Sequence, residues 1–122
     1  MSFESILGQV LNECPGALGV ALMGSDGIPI AQVAVSSPQD LGDDVSLLGI
    51  EFGRILDEAR KAADAASAGG VLELAVQTER CHVVIHALDR ETFLVLALAP
   101  EGNVGKGRYL LRRYQLALRE EL

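Results

Sequence analysis

Four groups of residues in this chain have the side chains or spacing to do chemistry: His82 with His86, Cys14 with Cys81, the helix carboxylates Glu51, Asp57, Glu58 and Asp64, and the glycine-rich turn around Gly105-Lys106. The two histidines fall on the same face of one predicted strand but about 13 Å apart at the strand rise, too far to share a metal ion. Cys81 adjoins His82 and points to the opposite face, and neither cysteine has a metal-ligand spacing. They read as two reduced, partly buried thiols. The four carboxylates form the solvated side of a helix, with Asp57–Lys61 as an i,i+4 ion pair, rather than a paired acid and base. No serine sits in a G-x-S-x-G elbow.

The turn between Thr92 and Arg113 is the one segment that invites a nucleotide, because a glycine-rich turn between strand and helix can cradle phosphates on free N–H groups. A phosphate loop needs a glycine five residues before the Gly-Lys pair and a Ser or Thr directly after it. Those positions hold Pro100 and Gly107. The loop is a structural turn. No catalytic residue, cofactor-binding residue or metal ligand is expected, and the chain reads as a non-enzyme.

Those residues are carried by a chain of 122 with 49% hydrophobic content, enough for one core and too short for two ordinary domains. It is taken as a single domain, 1–122. No apolar run spans a bilayer, and the N-terminus has no secretion signal, so a cytoplasmic protein is expected. The net charge of −7 makes nucleic acid and anionic membranes poor partners. Charge is uneven. Residues 101–122 hold five Lys and Arg against three Glu, whereas residues 1–100 hold five against fourteen Asp and Glu.

The positioning elements follow from periodicity. Phe3, Ile6, Leu7, Val10, Leu11 and Cys14 mark a helix with Ser2 as N-cap and Pro15-Gly16 as its stop. Gly16–Met23 and Ile28–Val35 flank Gly24-Ser25-Asp26-Gly27 as a β-hairpin, and Pro29 puts the second strand at a sheet edge. Asp40–Ala66 is the longest helix, with Leu41, Val45, Leu48, Phe52, Ile55, Ala59, Ala62 and Ala66 as its core-facing seam and Gly69-Gly70 ending it. Gly42, Ser46, Gly49 and Gly53 line one flank. Each mid-helix glycine costs about 1 kcal/mol against alanine, so this flank is expected to meet a second helix in a dimer. Leu47 and Ile50 stand opposite the seam. Val71–Thr78, His82–Leu88 and Thr92–Ala99 form an antiparallel meander whose third strand, apolar on both faces, is central. The last helix buries Leu110, Leu111, Tyr114, Ala117 and Leu118 and carries a ridge of Arg108, Arg112, Gln115 and Arg119. That ridge is either a solvated face or a dock for an acidic partner. The order is α-β-β-α-β-β-β-α.

With this order in place, the chain resembles the Roadblock family, the small α/β domain of dynein light chains and bacterial gliding-motility regulators. The hairpin GALGVALMGSDGIPIA (Gly16–Ala31) and the segment FLVLALAPEGNVGKGRYLLRR (Phe93–Arg113) carry the resemblance. Within the second, Asn103-Val104-Gly105 followed by Arg108 is similar to the family's Asn-hydrophobic-Gly…Arg signature. The resemblance implies a profilin-like α/β (α+β) sandwich: a five-stranded antiparallel sheet, the first and last helices on one face, the long helix on the other. It implies a homodimer through the long helix and the third strand, adding Leu72 and Leu74 to Gly42, Ser46, Gly49 and Gly53. Leu47, Ile50 and Arg54 become the candidate contact for a partner. MglB-type members bind a Ras-like small GTPase and stimulate its hydrolysis without a catalytic residue of their own. The expectation is a homodimeric regulator or scaffold of such a GTPase. The alternatives are an adaptor subunit of a motor or motility complex and, behind it, a small-molecule sensor.

Overall fold

A computed structural model describes residues 2–35 and 45–122. Helix α1 (Phe3–Glu13) starts at Ser2, whose hydroxyl accepts from the Ser5 amide at 3.1 Å. It stops before Gly16, where φ is +82° and a Cβ would lie 2.4 Å from the Gly102 Cα. That backbone crossing admits only glycine. Strands β1 (Ala17–Gly24) and β2 (Pro29–Ala34) form the predicted hairpin. Helix α2 (Val45–Ala65) is followed by β3 (Glu73–Gln77), β4 (His82–Ala87), β5 (Thr92–Leu98) and α3 (Val104–Glu121).

The five strands form one antiparallel sheet in the order β2-β1-β5-β4-β3. β5 is central, and all seven of its residues are buried, as a strand apolar on both faces must be. β2 is an edge, which suits Pro29, and β3 is the other. On one face α1 and α3 cover a cluster that includes Leu7, Val10, Val20, Leu96, Leu110 and Leu118. On the other, α2 lies over β1, β5 and β2 against Ala21, Met23, Val83, Ile85, Phe93 and Val95. Among the described residues no helix is long and apolar enough to cross a membrane.

The orientation of α2 differs from the periodicity reading. Its buried residues are Val45, Gly49 and Leu56, while Ile55 of the expected seam is 46% exposed. Leu48 and Phe52 are half-buried. The helix meets the sheet through its glycine flank, about one residue, or 100°, round from the seam. The reason is volume. A Cβ at position 49 would lie 2.9 Å from Met23 Cγ, and one at position 53 would lie 2.9 Å from Phe93 Cζ. Two large buried side chains fill the space that helix side chains would need, so the backbone itself packs on them. The C-terminus also differs. Ser67 adopts φ +56° and the Ala68 amide reaches back to the Ala63 carbonyl at 2.8 Å. The helix is closed there by a left-handed serine, two residues before Gly69-Gly70.

Candidate functional site

The face that α2 turns away from the sheet is the most distinctive surface. Leu48, Phe52, Ile55, Ala59 and Ala62 run along one flank, and Leu48 and Phe52 belong to the same cluster as Leu74 and Val71 at the β3 side. Ile55 is 46% and Leu72 76% exposed. Beside them, β3 presents a strand edge with no neighbour in the sheet among the described residues. An apolar helix flank next to an open edge suits association with another chain.

The predicted interface residues divide between this surface and the interior. Gly49 and Gly53 pack on the chain's own Met23 and Phe93, and the Ser46 hydroxyl hydrogen-bonds the Gln32 side chain of β2. The small residues at 49 and 53 therefore have a packing reason within the domain's own sheet. Gly42 lies outside the described residues. Leu72 is exposed, and Leu74 is half-buried in the α2-side cluster. Of the stripe the sequence pattern offered as core, Val45 is buried, Leu48 and Phe52 are half-buried and Ile55 is exposed.

Leu47, Ile50 and Arg54 share one side of α2, with Leu47 52% exposed. Arg54 lies 3.6 Å from Glu51 on the surface. Ile50, Arg54 and Asp57 line a shallow hollow of about 140 Å³ against the Ser25–Gly27 turn and Phe93. The hollow exists because positions 49 and 53 carry no side chain.

The structural signature residues have local roles. The Asn103 side chain caps α3 by accepting from the Lys106 amide at 3.0 Å, and its own amide donates to the Pro15 carbonyl at 3.0 Å. Gly105 meets nothing tighter than 3.6 Å. The glycine that the packing requires is Gly107, missed in the sequence, where a Cβ would lie 2.7 Å from Leu96 Cδ2. Arg108 pairs with Glu73 of β3 through both Nε and Nη2. That guanidinium, outweighing burial, holds the Glu73 carboxyl below the usual carboxylate range.

The basic ridge of α3 is largely spent inside the domain. Arg108 takes Glu73, Gln115 takes His86 at 2.9 Å, and Arg119 donates to the Leu88 carbonyl. His82 contacts the Pro100 carbonyl at 3.1 Å, so the two histidines serve separate local contacts. Cys14 and Cys81 lie in clusters on opposite faces of the sheet; burial pushes the Cys14 thiol up, against the opposing charge of Lys106. The expected Asp57–Lys61 pair does not form: Lys61 pairs with Glu58 at 3.2 Å and Asp57 lies 3.8 Å from Arg60. Among the described residues no group of three or more His, Cys, Asp or Glu is placed to hold a metal ion.

Together these features define an α/β sandwich domain with a partly exposed apolar helix flank beside a sheet-edge strand. The chain is 37% identical to MglC from Myxococcus xanthus over the whole of both chains, with a TM-score of 0.71. It belongs to the Roadblock/LC7 family. A Roadblock/LC7 domain from Streptomyces avermitilis shares the fold at 15% identity, covering 98% of this chain and 97% of that one, TM-score 0.81. An MglB solved in a tetrameric arrangement shares it at 20% identity, covering 97% and 88%, TM-score 0.79. No protein-family model matches the sequence, and no curated protein does.

Proposed function

We propose that this protein is a non-enzymatic regulator or scaffold of a Ras-like small GTPase in a bacterial motility or polarity system, acting as a homodimer in the cytoplasm. The observation that carries the proposal is the uncovered apolar flank of α2 beside the open β3 edge, in a chain 37% identical to MglC. A second copy would cover Leu48, Phe52, Ile55, Leu72 and Leu74. The GTPase would dock on the other side of α2, where Ile50 and Arg54 border the hollow at the β1–β2 turn and Leu47 is exposed on the same side of the helix. Such a surface would work by positioning the GTPase's own groups, since a docking face can lower a barrier by orientation alone.

The test mixes the purified protein with a Ras-like GTPase from the same cell, loaded with a non-hydrolysable GTP analogue. A complex is expected, and Ile50→Asp with Arg54→Glu should abolish it. Absence of a complex with any such GTPase at about 50 μM, equivalent to roughly −6 kcal/mol, would overturn the proposal. Phosphate release from GTP separates the two modes: acceleration supports activation, and binding with an unchanged rate leaves scaffolding.

A further inference from the structure

Strand β3 is held differently from the rest of the sheet. Helix α2 lies over β1, β5 and β2, and α3 lies over β4 and β5, so β3 projects past both. None of its five residues is buried. On the α2 face, Leu74 reaches the rim of the apolar cluster. On the α3 face the anchor is ionic. Arg108 grips both carboxylate oxygens of Glu73, with Nε 3.0 Å from one and Nη2 on the other. A guanidinium–carboxylate fork fixes the plane and direction of both groups. Arg112 of α3 and His86, which faces Glu73 across the β3–β4 ladder, are the other charged or titratable groups that act on this carboxylate.

The residue that Arg108 grips is also one that presents hydrogen-bonding groups at the edge. The Ala87 amide donates to the Leu72 carbonyl at 3.0 Å, and the Thr78 amide to the Cys81 carbonyl at 2.8 Å. Leu72, Leu74, Val76 and Thr78 therefore direct their N–H and C=O groups to β4. By alternation Glu73, Ala75 and Gln77 direct theirs to the open edge. The side chains of these three lie on the α3 face, and those of Leu74 and Val76 on the α2 face.

This parity limits how two copies of β3 can pair. Identical antiparallel strands related by a two-fold axis must join outward groups to outward groups. A pairing centred on Ala75 uses all three outward residues of the strand, whereas one centred on Leu74 or Val76 uses two. In the Ala75 register, Gln77 of the second copy stands opposite Glu73. Its side-chain amide reaches a carboxylate lone pair that Arg108 leaves free. Leu74 and Val76 meet across the seam on the α2 face, in the closer pairs that lack backbone hydrogen bonds. Ala75, small and exposed, falls on the axis.

We propose that Arg108 is a positioning residue for self-association: through Glu73 it holds β3 for pairing with β3 of a second copy in the register centred on Ala75. This assignment, which rests on the homodimer proposed above, adds its register and the residue that sets it.

The test uses the full chain. Ala75→Cys, oxidised at concentrations where the wild type self-associates, should form a disulfide-linked dimer, because facing Cα atoms in a hydrogen-bonded pair lie about 5.5 Å apart. Centring on Leu74 or Val76 would move the two positions about 8 Å apart, beyond disulfide reach. Cys14 and Cys81 are buried, and wild type oxidised in parallel reports their background. On analytical ultracentrifugation, Arg108→Gln and Glu73→Gln should each associate about tenfold more weakly, and the double variant no more weakly than either, as members of one pair do. Melting of dilute samples separates positioning from folding. An Arg108→Gln protein that melts lower but associates like the wild type would overturn the proposal. So would a dimeric wild type whose Ala75→Cys variant fails to cross-link; either result leaves the homodimer itself standing. A wild type that stays monomeric at every concentration would overturn both together.

Discussion

Replacing Gly53 with alanine distinguishes the two uses of the α2 glycines by the sign of its effect. If that flank faced solvent or a loosely packed partner, alanine would stabilise the chain by about 1 kcal/mol through helix propensity. Here the new methyl would lie 2.9 Å from Phe93 Cζ and 3.6 and 3.8 Å from its Cε atoms. Ordinary carbon contact begins near 3.5 Å, so the ring or the helix must yield by roughly 0.6 Å. Phe93 is only 2% exposed and packed among Met23, Val95 and Ala21, which leaves it little room to turn. Overpacking of this kind costs about 1–3 kcal/mol. Subtracting the propensity gain leaves a loss of about 0–2 kcal/mol. For a domain of this size a loss near 1 kcal/mol lowers Tm by about 3–5 °C. The assay is thermal and urea denaturation at several protein concentrations, with Ile55→Glu beside it. Gly53→Ala should lower stability at every concentration. Ile55→Glu, on the exposed stripe, should weaken self-association on analytical ultracentrifugation while leaving the dilute protein as stable as before. A more stable Gly53→Ala, or one that dissociates the assembly with unchanged stability at high dilution, would refute the packing of this helix face on the sheet.

Three further outcomes are expected. Because the Glu73 carboxyl titrates below its reference value of 4.5, its pairing with Arg108 contributes stability above that pH and loses it as pH falls through the folded-state value; the gap in denaturation midpoint between wild type and Glu73→Gln should therefore be present at neutral pH and narrow as the pH is lowered, and a gap that stays constant over the whole acid range contradicts the pairing. Asn103→Ala removes the α3 cap and should cost about 1 kcal/mol in urea unfolding, with Asn103→Asp retaining most of it. Ser67→Gly relieves a left-handed residue at the end of α2 and should stabilise by about 0.5–1 kcal/mol, measured by the same unfolding curves.

Much of the architecture was legible because it rests on local rules. Ser2 announced a helix start through a side chain that reaches the amide three residues on, and Pro29 marked an edge because it cannot donate to a ladder. The doubly apolar Thr92–Leu98 run could only be a central strand. Residues brought together from afar were not legible in this way. Glu73 and Arg108 are 35 positions apart, and Arg60, Arg90 and Arg119 meet only because two helices on opposite faces end at one hairpin turn. No spacing rule connects them.

The sequence alone determined the order of the elements, the edge and centre of the sheet, and a family resemblance that relatedness to MglC confirms. It also determined that α2 has an apolar seam and a small-residue flank. Only the tertiary structure decided which of the two meets the sheet. A helical period specifies faces, but the choice between them depends on the volume of what lies opposite. Met23 and Phe93 fill that space, so the glycines go inward, Leu48 and Phe52 stay half-buried at the side and Ile55 is exposed.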